Sequence, residues 1–575
     1  MAAPESPETP MPSFSFMELF QPNSNLLRRV FLRKPLAVVE AEERGSKLGR
    51  HLSLFDLLCI GIGGTVGSGV FVLCGLIAHE YAGPAVVLSW LTAGFGCVLS
   101  GMNYAEMSSR VPSAGSSYAY TYVALGELPA VVAGWCLTLE YGISASAIAR
   151  SWGDKMINWI TTDLDLDGKG LRPGHGVNPL AAAMVMTCTG ILLGGVGVGK
   201  NVTNFFTGLK MLLVAFMIIG GLSLFDADNL TPFAPNGFPG IMRGATSAFF
   251  GYIGYDTVCC LGMEAKNPSR NLPLAVGGSI VGVTVLQCLA AFALVSMQPF
   301  EDIDVDSGFP EAFGSNGLVW AQHLVATGEI ITLPLVVLVS LLPQVRLQFA
   351  MAEDGLMPAI LSKVDEHGNL FMNIFISGTI ATLIALFVPF LYLDSMISAG
   401  VLIAFNLTNI SLVVVRREHP FRENMCVSLM SLYCFISFVA ALMWRYLLDN
   451  ESLYPYLIFP CGLTAAAFLV VRHIAKTCPE VEDSSYAGFR VPFVPWLPAL
   501  GIFVNWYLVV QLEWYSLLMI IGYVVFACSW YILFGVKYSI GNANGWAKRL
   551  EISETQGESM TTGLLENAKQ EEPSF

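Results

Sequence analysis

The stretch Gly61–Phe71, GIGGTVGSGVF, places five glycines among eleven residues inside an apolar run. Glycine weakens a helix by about 1 kcal/mol relative to alanine. Its missing Cβ also lets the chain leave the helix and lets a ligand touch the backbone. A break around Gly67, Ser68 and Gly69 would free N–H groups at the positive end of the following half-helix, a setting suited to a carboxylate. A second such stretch, SAFFGYIGYDTV, has Gly251 and Gly254 flanking Tyr252-Ile253, with Asp256 next. Carbonyls exposed there would suit an ammonium group. The two together describe a receptor for an amino acid. The plainer alternative is close helix packing, for which Gly63 and Gly67 supply one GxxxG pair.

Four ionisable residues lie in or at the edge of apolar runs: Glu140 in LEYG, Lys210 in TGLKMLL, Asp256 after the second glycine pair, and Glu264 in MEAKNP. At the centre of a bilayer each costs at least about 2.5–3.5 kcal/mol, so each is a coupling or gating candidate. The structural alternatives stay open. Glu140 could bond to Tyr or Ser neighbours, Lys210 could snorkel, Asp256 could cap a half-helix, and Glu264 could pair with Lys266 or Arg270.

The elements that must position these residues are membrane helices. The chain is 54% apolar and only 13% charged, about half the charge of an ordinary soluble domain. A spanning helix needs about 20 mainly apolar residues. Fourteen candidate segments result, over 54–78, 85–102, 128–149, 180–198, 202–225, 245–263, 274–297, 325–342, 371–390, 396–415, 425–448, 454–471, 497–512 and 514–534. They are too long and too evenly apolar for barrel strands. With the N-terminus in the cytosol, 23 Lys and Arg residues fall inside and 6 outside, so both termini are expected to be cytosolic. The sequons at Asn229 and Asn450 then lie outside and are glycosylation candidates. The net charge of −14 argues against nucleic acid as a partner.

At this point the sequence resembles the cationic amino-acid transporter family, within the amino acid–polyamine–organocation superfamily. The stretches that carry the likeness are GIGGTVGSGVFVLCG, AGPAVVLSW, VPSAGSSYAYTYVALGE, LEYGISASAIARSW, FFGYIGYD with EAKNPSRNLP, LLPQVRLQFAMAEDGLMP, and FRVPFVPWLPALGIFVNWYLVVQL. The last is like the fourteen-span cationic transporters and unlike twelve-span exchangers. The resemblance implies an all-α membrane protein of LeuT type. Its inverted repeats would cover 54–225 and 245–415, four helices would follow over 416–535, and tails would cover 1–53 and 536–575, the second one disordered. It implies that backbone at Gly67, Ser68 and Gly69 holds a substrate carboxylate. Carbonyls near Thr65, Phe250 and Ile253 would hold its ammonium, with Phe250 as an aromatic gate. It further implies that Lys210 bridges the first and eighth segments where sodium sits in sodium-driven relatives, so sodium is not expected as a partner and protons stay open. Related chains often read MARDG after the eighth segment; here Met351–Gly355 reads MAEDG, which reverses one charge.

Other chemistry is absent. DLDLDG over 163–168 opens like a calcium loop, but its twelfth position is Gly174. No HExxH, Walker A or G-x-S-x-G pattern occurs, so no enzyme, metal or cofactor is expected. The reading is an amino-acid permease for cationic substrates (arginine, lysine, ornithine), as uniporter or proton symporter. The alternatives are a carrier of neutral amino acids or polyamines, and a sensor that binds without transporting. The plasma membrane is the expected location, with a vacuolar or lysosomal membrane as the alternative.

Overall fold

The computed structural model describes residues 29–39, 52–113, 115–163, 176–194, 200–305, 307–365, 369–422, 424–448, 456–481, 486, 488–541 and 546. The described residues are helical, with two isolated β-bridges besides. Nine helices among them are long and apolar enough to cross a membrane. One run, Leu54–Arg110, carries the first two segments and turns at Gly83, whose φ of +59° suits glycine. Pro179–Leu193, Phe371–Phe387 and Trp496–Val509 are shorter apolar helices.

Burial separates a centre from a rim. The apolar window of Phe390–Arg416 is 89% buried, whereas that of Trp514–Tyr538 is 17% buried. Large apolar side chains cover the rim, among them Leu212, Ile219, Phe435, Ile458 and Leu533. An outward face of this kind matches lipid as its solvent.

Packing pairs segments that lie five apart. Pro268–Met297 lies along Val86–Arg110, Val319–Glu353 along Ser144–Asn158, and Phe371–Phe387 along Pro179–Leu193. Trp496–Val509, beyond this set, lies along Phe390–Arg416. A buried amide network fixes that join: Asn505 Nδ2 donates to Asn406 Oδ1 at 3.0 Å and to Ser100 Oγ at 3.2 Å, and Asn103 Nδ2 donates to Asn409 Oδ1 at 2.6 Å. Replacing Asn505 by leucine strands buried polar groups at about 1–3 kcal/mol. The expected result is an apparent melting temperature a few degrees lower in detergent, read against wild type.

At one end of the bundle, Arg416 bonds to Glu106, to Glu480 and to Val491 O. The Arg416 hydrogen bond, then the charges of Arg416, Arg417 and Arg490, hold the half-exposed Glu480 carboxyl below its ordinary range. The flanking chain is fastened at the same end, beside the start of the third segment. Lys34 Nζ meets Asp354 Oδ1 at 2.9 Å, and Tyr118 Oη donates to Asp354 Oδ2 at 2.8 Å. Buried Glu127 accepts from Tyr122, Tyr531 and Ser539, and Ile540 N donates to Asp354 O. The expected boundary of a disordered tail at 536 is therefore too early: Val536–Tyr538 is helical and residues to 541 pack on the bundle.

Candidate functional site

The first segment starts at a capping box. Ser53 Oγ accepts from Asp56 N, and Ser53 N donates to Asp56 Oδ2. Leu52 then pairs through its backbone with Glu264 O and Lys266 N, which ties the entry of the first segment to the exit of the sixth. Leu54–Ser68 is α-helical and passes into a π-turn over Gly69–Leu73. The expected opening at Gly67–Gly69 does not occur: Gly69 keeps helical dihedrals of −63° and −55°, and its N–H is taken by Thr65 O and Val66 O. Ser68 lies in the α-helix, and its side chain is outside the described atoms.

Packing explains the glycines instead, because each one faces a different neighbour. A β-carbon added at Gly61 would lie 3.1 Å from Val258 Cγ2, at Gly63 3.2 Å from Thr207 Cβ, and at Gly64 3.7 Å from Gly254 Cα. At Gly67 it would lie 2.7 Å from Val336 Cγ2 and 3.1 Å from Lys210 Nζ, and at Gly69 3.2 Å from Gly251 O. One GxxxG pair understates a helix touched on every side.

The sixth segment does break. Gly237–Ala248 is an α-helix, Phe250–Tyr252 a single 3-10 turn, and Tyr255–Cys260 a second α-helix. Between them Ile253 is extended at ψ 129° and Gly254 takes φ +130°. Gly254 lies so close to the first segment that a β-carbon there would be 2.6 Å from Thr65 Oγ1. Thr65 Oγ1 itself donates to Gly61 O at 2.5 Å.

Phe250, Ile253 and Gly254 line a cavity of about 10 Å³ with Gly64, Tyr141 and Ser340. That is room for one water, far below the about 300–1,000 Å³ of a ligand pocket. Ile60, Thr257 and Val339 also border a wider cleft of about 140 Å³, which reaches Glu264 and Arg346. There Arg346 Nη1 meets Glu264 Oε1 at 2.8 Å, so the partner expected at Lys266 or Arg270 is Arg346 of the eighth segment. Of the expected ligand residues, Phe250 and Ile253 line the cavity, while Thr65, Gly67 and Gly69 do not. The Phe250 ring lies 5.8 Å from that of Phe390.

Lys210 does not snorkel. Its side chain is buried, and Nζ donates to Gly63 O at 2.6 Å, between the first segment and Val336 of the eighth. Glu140 sits in a π-turn over Leu139–Ile143, fully buried beside the Asp256 carboxyl, and makes no hydrogen bond to Tyr or Ser. The tyrosine next to it bonds Asp256 instead. At the opposite end of the bundle, Asp304 and Glu311 border a cavity of about 430 Å³ together with the buried pair Lys155–Glu329 at 2.8 Å. Burial, then the neighbouring Asp304, raises the Glu311 carboxyl above its ordinary range. Asn229 is half-buried with its amide donating to Ser296 O at 3.1 Å, and Asn450 lies outside the described residues.

Sequence reasoning passed over three residues. Tyr141 carries no charge to mark it. Gln287 is a neutral polar residue in the seventh segment. Asp394 fell just before the expected start of the tenth segment, yet it is buried inside Phe390–Arg416 and accepts from Ser247 Oγ at 2.8 Å.

Comparison with known proteins gives the family. The methylthioribose transporter of Bacillus subtilis is 33% identical over 77% of this chain and 98% of its own length. Cationic amino acid transporter 3, mitochondrial, of Arabidopsis thaliana is 31% identical over 93% of this chain and 99% of its own. Cationic amino acid transporter 4, vacuolar, of the same plant is 30% identical over 86% and 93%. A family model described as C-terminus of AA_permease matches residues 489–539, around the thirteenth and fourteenth segments. The model described as amino acid permease matches residues 52–469, from the capping box through the twelfth segment, and the chain belongs to that family.

Proposed function

We propose that this permease carries cationic L-amino acids by alternating access, with the substrate held between the first and sixth segments. The interruption at Ile253-Gly254, which meets the first segment and lines a small cavity with its Gly64, carries the reading. Carbonyls near Phe250 and Ile253 would receive the ammonium. The carbonyl near Thr65 would join them, and backbone at Gly67, Ser68 and Gly69 would receive the carboxylate once the π-turn opens; π-turns inside α-helices recur at functional sites. Lys210 would brace the first segment, and Glu140 with Asp256 would form the proton-handling pair if transport is proton-coupled. The pairing of segments five apart supports two inverted five-helix repeats with four helices appended, the LeuT-type arrangement. We place both termini in the cytosol and the protein in the plasma membrane, with vacuolar or lysosomal membrane as the alternative, since the relatives' names span several organelles.

The test is uptake of labelled arginine, lysine and leucine into proteoliposomes, with and without a proton gradient. Saturable arginine and lysine flux is expected. Binding without flux would identify a sensor, and leucine flux alone a neutral carrier. The similarity to a methylthioribose transporter motivates that sugar as a competitor. No flux of any amino acid overturns the reading.

With the N-terminus in the cytosol, Glu264 and Arg346 close the cytosolic cleft. The pair is partly exposed, so its worth is about 1 kcal/mol or less. Glu264→Arg is expected to slow transport a few-fold, and Glu264→Arg with Arg346→Glu to recover it. A double variant no better than the single one removes the pair from the gate.

A further inference from the structure

The interruption of the sixth segment is held from behind by the seventh. Gln287 is fully buried on Pro268–Met297, and its Nε2 donates to Gly251 O at 2.7 Å. One turn earlier, Tyr252 Oη lies 3.0 Å from Thr284 Oγ1 and 3.0 Å from Trp90 O. The interruption leaves the Gly251 carbonyl without an intrahelical donor, and such a group is costly when buried. Gln287 supplies that donor. The acceptor fixes which end of the amide points at it, since Oε1 would face a carbonyl oxygen. Oε1 has no partner among the described residues. An apolar side chain would avoid the cost of this stranded oxygen. The side chain is therefore explained by its N–H.

The same amide accounts for Gly69. A β-carbon at Gly69 would overlap Gln287 Nε2, and one at Gly251 would lie 3.1 Å from Gly69 Cα and 2.5 Å from the Trp90 ring. First, sixth and seventh segments meet at one point with no side chain between the two backbones. We propose that Gln287 is a positioning residue for transport: it keys the Gly251 carbonyl to Gly69, so that the three segments shift together as the site opens and closes. This amide requires glycine at 69 even with no substrate bound. The proposal rests on the transport reading above.

The test uses the full chain in proteoliposomes and in detergent. Gln287→Leu keeps the bulk and loses the N–H, and it is expected to raise KM about tenfold, the scale of one buried hydrogen bond, with maximal velocity nearly unchanged. A merely structural loss would lower maximal velocity through less folded protein and leave KM alone. Gly69→Ala is expected to lose about tenfold in uptake. Adding Gln287→Ala removes the overlap but still lacks the N–H, so KM stays raised as in Gln287→Leu. In detergent the double variant should melt above Gly69→Ala alone. This melting series decides the contact even if the wild-type chain moves no amino acid, so the two readings fail separately. Unchanged KM in Gln287→Leu, or a Gly69→Ala melting loss equally deep with and without Gln287→Ala, overturns the proposal.

Discussion

Lys210→Ala is expected to reduce uptake up to about a hundredfold, near background, while the protein still inserts and purifies. The reason is the position of Nζ, 2.6 Å from Gly63 O and enclosed by the first, fifth and eighth segments. A hydrogen bond involving an ionised group is worth about 1.5–3 kcal/mol, and every 1.4 kcal/mol is tenfold. Removing the side chain also opens a void beside Gly67, toward which the first segment can tilt. Lys210→Arg should fail as well. Gly67 has no Cβ because the space is already filled, and the planar guanidinium fork is larger than an ammonium. Initial rates of labelled arginine uptake, with melting temperature as the folding control, decide this. Wild-type uptake by Lys210→Ala would make the strut dispensable and return the residue to simple packing.

Gly254→Ala should be equally inactive, for a backbone reason. At φ +130° an L-residue is strained by about 1–3 kcal/mol, and the new methyl would lie 2.6 Å from Thr65 Oγ1. Both penalties fall on the point where the sixth segment leaves the helix and meets the first. Uptake at background with a lower melting temperature is the expected outcome. Adding Thr65→Ala removes the hydroxyl overlap but neither the strain nor the tight approach to the residue-65 N–H at 3.1 Å, so recovery should be partial. Full activity in Gly254→Ala would show that the chain can carry substrate with a different geometry at the interruption, and would remove the main support for a site there.

The two glycine-rich stretches looked alike in sequence and fold differently. In the sixth segment two glycines bracket a dipeptide, and one of them takes a dihedral that other residues avoid, so the break was legible. In the first segment every glycine is helical, and its use is proximity to a neighbour. Those neighbours (Ser279, Thr207, Gly254, Val336, Gln287) lie in four other segments, so a local reading had no access to them. Helix existence was legible from apolar run length. The charge at 210 was legible because lipid makes it costly. Pairings across the bundle, such as Glu264 with Arg346, depend on tertiary register, and the nearest cations in sequence proved the wrong partners. Asp394 was missed through a boundary error of a few residues, the scale on which helix ends are uncertain.

The docking of both flanking segments around Glu127 and Asp354 bears on biosynthesis. Lys34 waits 320 residues for Asp354, and Glu127 waits 412 for Ser539. A ribosome adding about 5–20 residues per second therefore inserts nearly every helix before the last donor to Glu127 is made. Until then a buried carboxylate stands incompletely solvated at the membrane edge, and the nascent protein is one clasp short of closed.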